Sequence, residues 1–361
     1  MHIPVSTDEI TPEWLSSVLD CQVSHLSKKL DAYSAGLVSS MCFLEVGYQD
    51  ESRGPDRLLA KMVPDFEDSF ELAAMNKLFV RECNFYKNIA ARIPLRTPRA
   101  YYAEADEETG VGCLLLEDCS HYQLIDQNDP QPTSLEQLQD IMVATAKLSA
   151  ATWDLDWPTQ DPWIFKVPDP ASKAFTDSVQ LGWQAFLTSN ILSLVPKEFI
   201  PIAERLAREY SEIFQNAWPK DRLSLGHGDY RINNFFIDSK SKDSILVFDW
   251  QSPTMQRNAM DLGYLISTGY TPEFRRANDS NLIRIYHQEL TAQGISNYTE
   301  AEAWHDYLFG TLFGSRLIPM FVNDFDVSSP AGNILVRKVI DGVCSSILEN
   351  GGLELLDRVQ R

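Results

Sequence analysis

The sequence predicts an α+β fold with two lobes, a small first lobe built on an antiparallel sheet and a larger, mainly helical second lobe. Two observations predict it. Residues 41–116 follow the order strand, strand, helix, strand, strand, and the last two strands form a hairpin. From about residue 119, long amphipathic helical patterns dominate. We therefore expect the lobes to occupy residues 1–118 and 119–361.

Hydrophobic spacing defines the elements of the first lobe. The predicted elements are a helix at 7–20, strands at 41–48 and 57–63, a helix at 67–92 that ends before Pro94, and hairpin strands at 99–104 and 111–116. The acidic turn DEETG connects the two hairpin strands. This order places one long helix between two pairs of strands.

The second lobe begins with a helical pattern at 135–153 that contains neither proline nor glycine. Further helices are predicted within 172–215, and the chain after residue 251 is again mainly helical. Between them, residues 223–251 form a compact stretch with two short apolar strands, FFI and ILVFDW. This stretch carries most of the residues that suggest chemistry.

Composition excludes several classes of protein. Hydrophobic residues make up 44% of the 361 residues, which is too many for a disordered chain. The formal net charge of −20 disfavours binding to nucleic acid or to anionic membranes. The six cysteines show no zinc spacing, and the N-terminal residues do not have the pattern of a signal peptide. We therefore expect a cytoplasmic protein with reduced thiols.

The segment LSLGHGDYRINNFFID, at 223–238, combines three polar residues with a following strand. Asp229 and Asn234 lie five residues apart in one loop, and Asp249 ends the apolar strand of SILVFDWQ. Magnesium prefers oxygen ligands, and phosphoryl transfer needs a group that orients the attacking hydroxyl. The spacing predicts Asp229 for orientation, with Asn234 and Asp249 as metal ligands. The alternative is a simple turn at HGD and a turn-capping Asp249.

A lysine and a glutamate in the first lobe support the same chemistry. Lys61 lies inside the apolar strand RLLAKMV, where a solvated lysine is unexpected, and Glu82 lies in the next helix. A kinase holds the nucleotide phosphates with a strand lysine, which a helix glutamate positions. We predict a Lys61–Glu82 ion pair; the alternative is an edge-strand lysine and a solvated glutamate.

These motifs resemble those of a known superfamily. HGDYRINN is similar to the HGDxxxxN loop of the aminoglycoside phosphotransferase and choline-kinase-like superfamily. FDWQ and the pattern from Phe79 to Tyr86 resemble its ecdysteroid-kinase-like (CHK) branch. The resemblance implies a protein-kinase-like fold, ATP and Mg²⁺ as cofactors, and Asp229 as catalytic base. It also implies that Asp261 holds the catalytic loop by hydrogen bonds.

Weaker similarities suggest further nucleotide contacts. LLLEDCS resembles the hinge of the family, which implies that adenine binds the carbonyl of Glu117 and the amide of Cys119. SAGLVSSMC, at 34–42, contains only Gly36 and no GxGxxG, but Ser39 and Ser40 could contact phosphates. Arg231 could stabilise the transferred phosphoryl group or pair with a structural carboxylate.

Two functions are therefore compatible with the sequence. The first is an ATP- and Mg²⁺-dependent kinase of a small hydroxylated molecule, and the second is a catalytically silent protein of the same fold. A protein kinase is disfavoured because the loop reads HGD instead of HRD, and no GxSxG elbow indicates a hydrolase. Trp153, Trp157 and Trp163 could form a wall of the acceptor pocket, or pack in the core. The sequence leaves open the preference for ATP or GTP and whether the protein is a monomer or a homodimer.

Overall fold

The computed structural model describes residues 2–30, 39–49, 54–64, 67–241, 244–322 and 330–360. The elements up to the predicted lobe boundary are α1 (Pro12–Leu19), β1 (Val23–Leu30), β2 (Ser40–Tyr48), β3 (Arg57–Met62), α2 (Glu67–Met75), α3 (Leu78–Asn88), β4 (Ala100–Ala105) and β5 (Gly112–Glu117). The predicted helix at 7–20 is shorter than expected, because a 3₁₀ turn at Thr7–Glu9 precedes it.

The later elements are mostly helices, as the sequence predicts. They are β6 (Gln123–Leu124), α4 (Leu135–Thr152), α5 (Trp157–Gln160), α6 (Pro170–Phe186), α7 (Ile200–Ala217), β7 (Ser224–Gly226), β8 (Phe235–Ile237), β9 (Ile245–Val247), β10 (Thr254–Gln256), α8 (Ala259–Gly269), α9 (Pro272–Ala292), α10 (Glu300–Gly314), α11 (Leu317–Met320), α12 (Pro330–Glu349) and α13 (Leu353–Arg358). The α+β class is confirmed.

The chain forms two compact units. The first contains Met1–Gln123 and Asp238–Ser252, and the second contains Leu124–Ile237 and Pro253–Arg361. Asp249 therefore belongs to the same unit as the N-terminal sheet. The division into lobes at residue 118 stays a prediction.

The first unit is built on a five-stranded antiparallel sheet in the order β1-β2-β3-β5-β4. The strand β1 was not predicted from the sequence. Its residues VSHLSKKL are largely polar, and most of their side chains are exposed. An edge strand pairs on one side only, so it can form without the apolar run that marks a central strand.

The predicted long helix at 67–92 is interrupted. Lys77 adopts a left-handed conformation with φ of 52°, which separates α2 from α3. No glycine or proline marks this break, and for that reason the hydrophobic spacing alone predicted one continuous helix. The shorter α3 places Phe79, Cys83 and Tyr86 in the interior of the first unit.

In the second unit, α8 is buried along its whole length and packs closely against α10. Two glycines permit this approach. A Cβ added at Gly310 would lie 1.9 Å from the carbonyl oxygen of Met260, and one at Gly263 would lie 2.0 Å from that of Tyr307. No side chain fits at these distances, so the backbones of α8 and α10 are in direct contact.

All six cysteines are free thiols; Cys21 is half-buried and the other five are buried. Within the described ranges, no helix combines the length and the apolar character that a membrane span requires.

Candidate active site

Lys61 is buried because of its position on β3. Leu58, Ala60 and Met62 alternate into the apolar core on one face of the sheet. Lys61 points to the opposite face, where it meets the α3 residue Glu82. Only 8% of the Lys61 side chain and 1% of the Glu82 side chain are exposed. The strand and the helix therefore bring a lysine and a glutamate together away from water.

The ammonium group of Lys61 is bonded to two carboxylates. Its Nζ atom donates to Oε1 of Glu82 at 3.0 Å and to Oδ1 of Asp249 at 2.6 Å, and lies 2.8 Å from Oε2 of Glu82. Burial opposes the charged form of Lys61, but the charges of Asp249 and Glu82 outweigh it and raise its pKa. Two carboxylates face one cation in this cluster, so negative charge is in excess.

Aromatic packing anchors the segment that carries Asp249. The ring of Trp250 stacks on that of Phe85 in α3, with centroids 4.1 Å apart and planes 5° from parallel. Its indole N–H donates to the carbonyl of Val247 at 3.2 Å. Asp249 itself has a φ of 65°, a conformation that aspartate tolerates better than most residues. The anchored tryptophan fixes this backbone beside the helix of Glu82.

The loop that follows β7 is held by α8 in the second unit. The carboxylate of Asp261 accepts hydrogen bonds from the amide of His227 at 2.7 Å and from the amide of Gly228 at 3.3 Å. His227 Nδ1 accepts from the amide of Asp229 at 3.3 Å. Asp261 thus makes the hydrogen bonds that the family resemblance implies.

Asp229 is surrounded by donors. Arg231 binds both of its oxygens, with Nε 3.0 Å from Oδ1 and Nη2 3.0 Å from Oδ2. The hydroxyl of Tyr264 donates to Oδ1 at 2.9 Å, and Nη2 of Arg316 lies 4.0 Å from the same atom. Burial opposes ionisation, but the charges of Arg231 and Arg316 overcome it and hold the pKa of Asp229 at about 2.

Asn234 has the chemistry of a magnesium ligand. Its side-chain nitrogen donates to the carbonyl of Asp229 at 2.8 Å, which leaves the carboxamide oxygen for another partner. Asp249 uses Oδ1 for Lys61, and its side chain is 25% exposed. Both groups offer hard oxygen atoms, and magnesium typically binds one or two carboxylates together with water and phosphates. Each of the two groups, taken by itself, therefore offers the type of oxygen atom that Mg²⁺ prefers. Among the described residues, no cluster of three or more His, Cys, Asp or Glu suited to a metal occurs.

The other residues that the sequence predicts to contact the nucleotide lie on or beside the strands of the first unit. Glu117 ends β5, and its carboxylate accepts from the amide of Arg99 at 3.2 Å. Cys119 is buried, and Ser39 and Ser40 lie next to and at the start of β2. Gly36 and the neighbouring residues 31–38 lie outside the described residues. Roles for these four side chains or backbones in nucleotide binding stay predictions.

The sequence interpretation missed Tyr264 and Arg316. Tyr264 follows Asp261 by three residues on α8, so both face the same loop. Arg316 lies in the apolar stretch LFGTLFGSRLIPMFV, where a charged residue is a signal of a buried polar partner. Of the proposed aromatic wall, Trp157 is 2% exposed and Trp153 packs against Tyr298, with ring centroids 5.5 Å apart.

Solved structures with the same fold are described as phosphotransferases. A protein of Ralstonia eutropha JMP134 classed with the aminoglycoside phosphotransferases has a TM-score of 0.58 and 14% identity; the match covers 97% of this chain and 98% of that one. Ethanolamine kinase of Plasmodium vivax has a TM-score of 0.52 and 11% identity, over 88% and 81% of the two chains. The GDP complex of aminoglycoside 2'-phosphotransferase-IIIa has a TM-score of 0.52 and 10% identity, over 97% and 98%. These similarities show the predicted kinase-like fold.

Sequence comparison identifies the family. No curated protein matches the chain. The model of the ecdysteroid kinase-like family matches residues 34–294, well over half of the chain, and this span includes Lys61, Glu82 and Asp249 as well as the loop of Asp229. The chain therefore belongs to the ecdysteroid kinase-like family.

Proposed function

We propose that this protein is an ATP- and Mg²⁺-dependent kinase that transfers the γ-phosphoryl group to a hydroxyl of a small molecule. The observation that carries the proposal is the buried cluster of Lys61, Glu82 and Asp249. A buried lysine bound to two carboxylates is costly to desolvate, and an apolar group of similar size would usually serve stability as well. Its place on a strand of a kinase-like fold supports a role in holding nucleotide phosphates.

In this proposal each residue has one task. Lys61 contacts phosphate oxygens and is positioned by Glu82, while Asp249 and Asn234 are oxygen ligands of Mg²⁺. The metal, when bound, would neutralise charge on the phosphates. The excess negative charge around Lys61 favours a bound cation there. Arg231, which pairs with Asp229, is proposed to stabilise the transferred phosphoryl group as well.

Asp229 is proposed to orient the acceptor hydroxyl and take its proton. With a pKa of about 2 it is a weak base, so orientation is the larger part of its task. This is sufficient for phosphoryl transfer, because in a loose transition state most of the rate comes from positioning and charge stabilisation. The proton can leave late, when the new bond to phosphorus has lowered the basicity of the acceptor oxygen.

Small-molecule acceptors are supported by the structural neighbours. One is described as an ethanolamine kinase, and another was solved with GDP and kanamycin. These ligands belong to those proteins, and the acceptor of this one is to be found by screening. The silent alternative is disfavoured because Lys61, Glu82, Asp229, Asn234 and Asp249 are all present.

Thermal unfolding with Mg-ATP tests the nucleotide site first. A ligand at a hundred times its dissociation constant stabilises the folded state by about 2.7 kcal/mol. We expect a Mg²⁺-dependent stabilisation that Asp249→Ala loses and that Asp229→Ala keeps. Mg-GTP under the same conditions determines the nucleotide preference. No stabilisation of the wild-type protein by either nucleotide would favour the silent alternative.

Transfer is then measured with γ-labelled ATP and a panel of hydroxylated compounds. Incorporation of label that requires the compound, and that Asp229→Ala lacks, would establish the activity. Equal incorporation by Asp229→Ala would contradict the assigned role of Asp229.

A further inference from the structure

Arg316 is a buried cation that no sequence motif marks. It lies between α10 and α11 and is 6% exposed. The family model ends at residue 294, so Arg316 belongs to the part of the chain that the match does not cover. Its contacts nevertheless lead back to the loop of Asp229.

The guanidinium group of Arg316 is held in one place from several sides. Its Nη2 atom donates to the carbonyl of Gly228 at 3.0 Å, and Nη1 donates to the carbonyl of Phe313 at 3.1 Å. It lies 4.2 Å from the ring centre of Tyr264 and 3.9 Å from that of Phe313. These contacts fix both the position and the orientation of the positive charge.

A purely structural arginine would be expected to pair with its own carboxylate. Arg275, on α9, is such a residue: it is 2% exposed and pairs with Asp279 at 3.1 Å and with Glu349. Within the part of the chain that the structure describes, the carboxylate nearest to Arg316 is Asp229, at 4.0 Å, and that group already has the bidentate partner Arg231. Arg231 is therefore the ion-pair partner of Asp229, and Arg316 adds its charge from a greater distance without a hydrogen bond to the carboxylate.

What Arg316 does hold is the backbone immediately before Asp229. Gly228 has a φ of 77°, so the chain turns sharply there before presenting Asp229. Its amide is bonded to Asp261 and its carbonyl to Arg316, so the peptide is restrained at both ends of the residue. The first restraint comes from α8, and the second comes from the region beyond the family match.

We propose that Arg316 is a positioning residue for phosphoryl transfer, which holds Gly228 so that Asp229 points at the acceptor oxygen. This inference rests on the proposed kinase function. Arg316 touches neither reacting atom, and it acts through the loop. The C-terminal part of the chain thereby contributes a residue to the catalytic machinery of the family-matched part.

Kinetics of Mg-ATP turnover test the role, with inorganic phosphate release to water as the readout. The variants are Arg316→Met, which keeps the length of the stem, Arg316→Lys, which keeps the charge, and Arg275→Met as a matched buried control. We expect Arg316→Met to lower kcat by at least about tenfold with KM for Mg-ATP within about twofold, since misplacing a reacting group by 1 Å can cost about a hundredfold. Arg316→Lys should recover part of kcat.

Arg275→Met should lower the melting temperature at least as much as Arg316→Met while leaving kcat unchanged, because its partners lie away from the loop. Equal kcat in Arg316→Met and Arg275→Met would overturn the proposal. Failure of Arg316→Met to fold would leave Arg316→Lys, whose kcat must then lie below that of the wild type with KM retained.

Hydrogen exchange gives a second readout that does not need activity. Peptides that cover residues 226–234 should exchange faster in Arg316→Met than in Arg275→Met, by about tenfold, because one restraint on the loop is gone. Unchanged exchange of these peptides would overturn the proposal. If the wild-type protein releases no phosphate, the kinase function fails, while faster exchange in Arg316→Met alone still assigns the positioning of the loop to Arg316.

Discussion

Asp249 and Asp229 are both acidic groups of the proposed active site, but their electrostatic surroundings are opposite. Around Asp249, one lysine faces two carboxylates, and the cluster carries excess negative charge. Around Asp229, two arginines face one carboxylate, and positive charge is in excess. Two aspartates of the proposed active site thus lie in surroundings of opposite charge, which suit different ligands.

The difference indicates what each cluster can bind. Excess negative charge beside Asp249 attracts a cation such as Mg²⁺, whereas excess positive charge beside Asp229 attracts the anionic oxygens of a phosphoryl group. The arginines also keep Asp229 ionised although most of its side chain is buried. The comparison predicts that substitution of Asp229 acts mainly on catalysis, whereas substitution of Lys61 also lowers stability in the absence of nucleotide.

Asp229→Asn should give the largest effect, and that effect should be on catalysis. The carboxamide cannot accept a proton, so turnover of Mg-ATP should fall by about 10²–10⁴-fold. The stabilisation by Mg-ATP in thermal unfolding should be retained. Asp177→Asn is the control, because Asp177 forms an exposed pair with Lys173 at 2.7 Å. Turnover of Asp229→Asn within a factor of about two of the control would contradict the assignment.

Lys61→Met should lower stability even before a nucleotide binds, in addition to removing the phosphate contact proposed for Lys61. The variant leaves Glu82 and Asp249 without their shared cation in a site where Glu82 is 1% exposed. Removing one partner of a buried ion pair costs about 3–5 kcal/mol of unfolding free energy. Urea unfolding without Mg²⁺ measures this loss, and adding Glu82→Gln should restore part of it.

The same unfolding experiment can be repeated with Mg²⁺ and no nucleotide. Because the variant has more uncompensated negative charge, Mg²⁺ should stabilise Lys61→Met more than the wild-type protein. Lys173→Met, on the surface, should change stability by no more than about 0.5 kcal/mol. A loss in Lys61→Met no larger than that of the surface control would show that the buried carboxylates do not depend on Lys61.

The two clusters also differ in how far the sequence predicted them. Lys61 and Glu82 were predicted because a lysine inside an apolar strand and a glutamate in the next helix are local signals in a known order. In the structure, Nζ of Lys61 lies 2.8 Å from Oε2 of Glu82. The roles of both residues in nucleotide binding stay predictions. The break at Lys77 and the strand β1 were missed, since a left-handed lysine and a polar edge strand leave no hydrophobic period to detect.

In the second cluster, only the loop itself could be predicted. Asp229, Arg231 and Asn234 lie within six residues, so their proximity follows from the sequence. Tyr264 and Arg316 reach Asp229 through the packing of α8 and the segment after α10, which no local pattern encodes. The close contact of α8 and α10 depends on Gly263 and Gly310. The need for glycine at these two positions is evident only when the two backbones are seen in contact.

Gly310→Ala tests whether the second cluster depends on that contact. The added methyl group would lie 1.9 Å from the carbonyl of Met260, so α10 must move away from α8. Overpacking of this kind costs about 1–3 kcal/mol of unfolding free energy, and kcat should fall as Arg316 moves relative to Tyr264. Gly182→Ala is the control, because its Cβ would lie 3.3 Å from Cβ of Pro319 and alanine favours the helix. Equal stability of the two variants would show that α8 and α10 can separate without cost.

Tyr264→Phe should give the smallest effect, because Asp229 keeps both hydrogen bonds from Arg231. The variant removes only the donor at 2.9 Å from Oδ1. A single hydrogen bond contributes about 1 kcal/mol net, so kcat should fall about fivefold with KM for Mg-ATP unchanged. Tyr286→Phe removes an equally buried hydroxyl, which lies 3.1 Å from Oγ of Ser149, and should leave kcat unaltered. If the two variants lose the same activity, the hydroxyl of Tyr264 only stabilises the second unit in general. The orientation of the Asp229 carboxylate would then depend on the arginines alone.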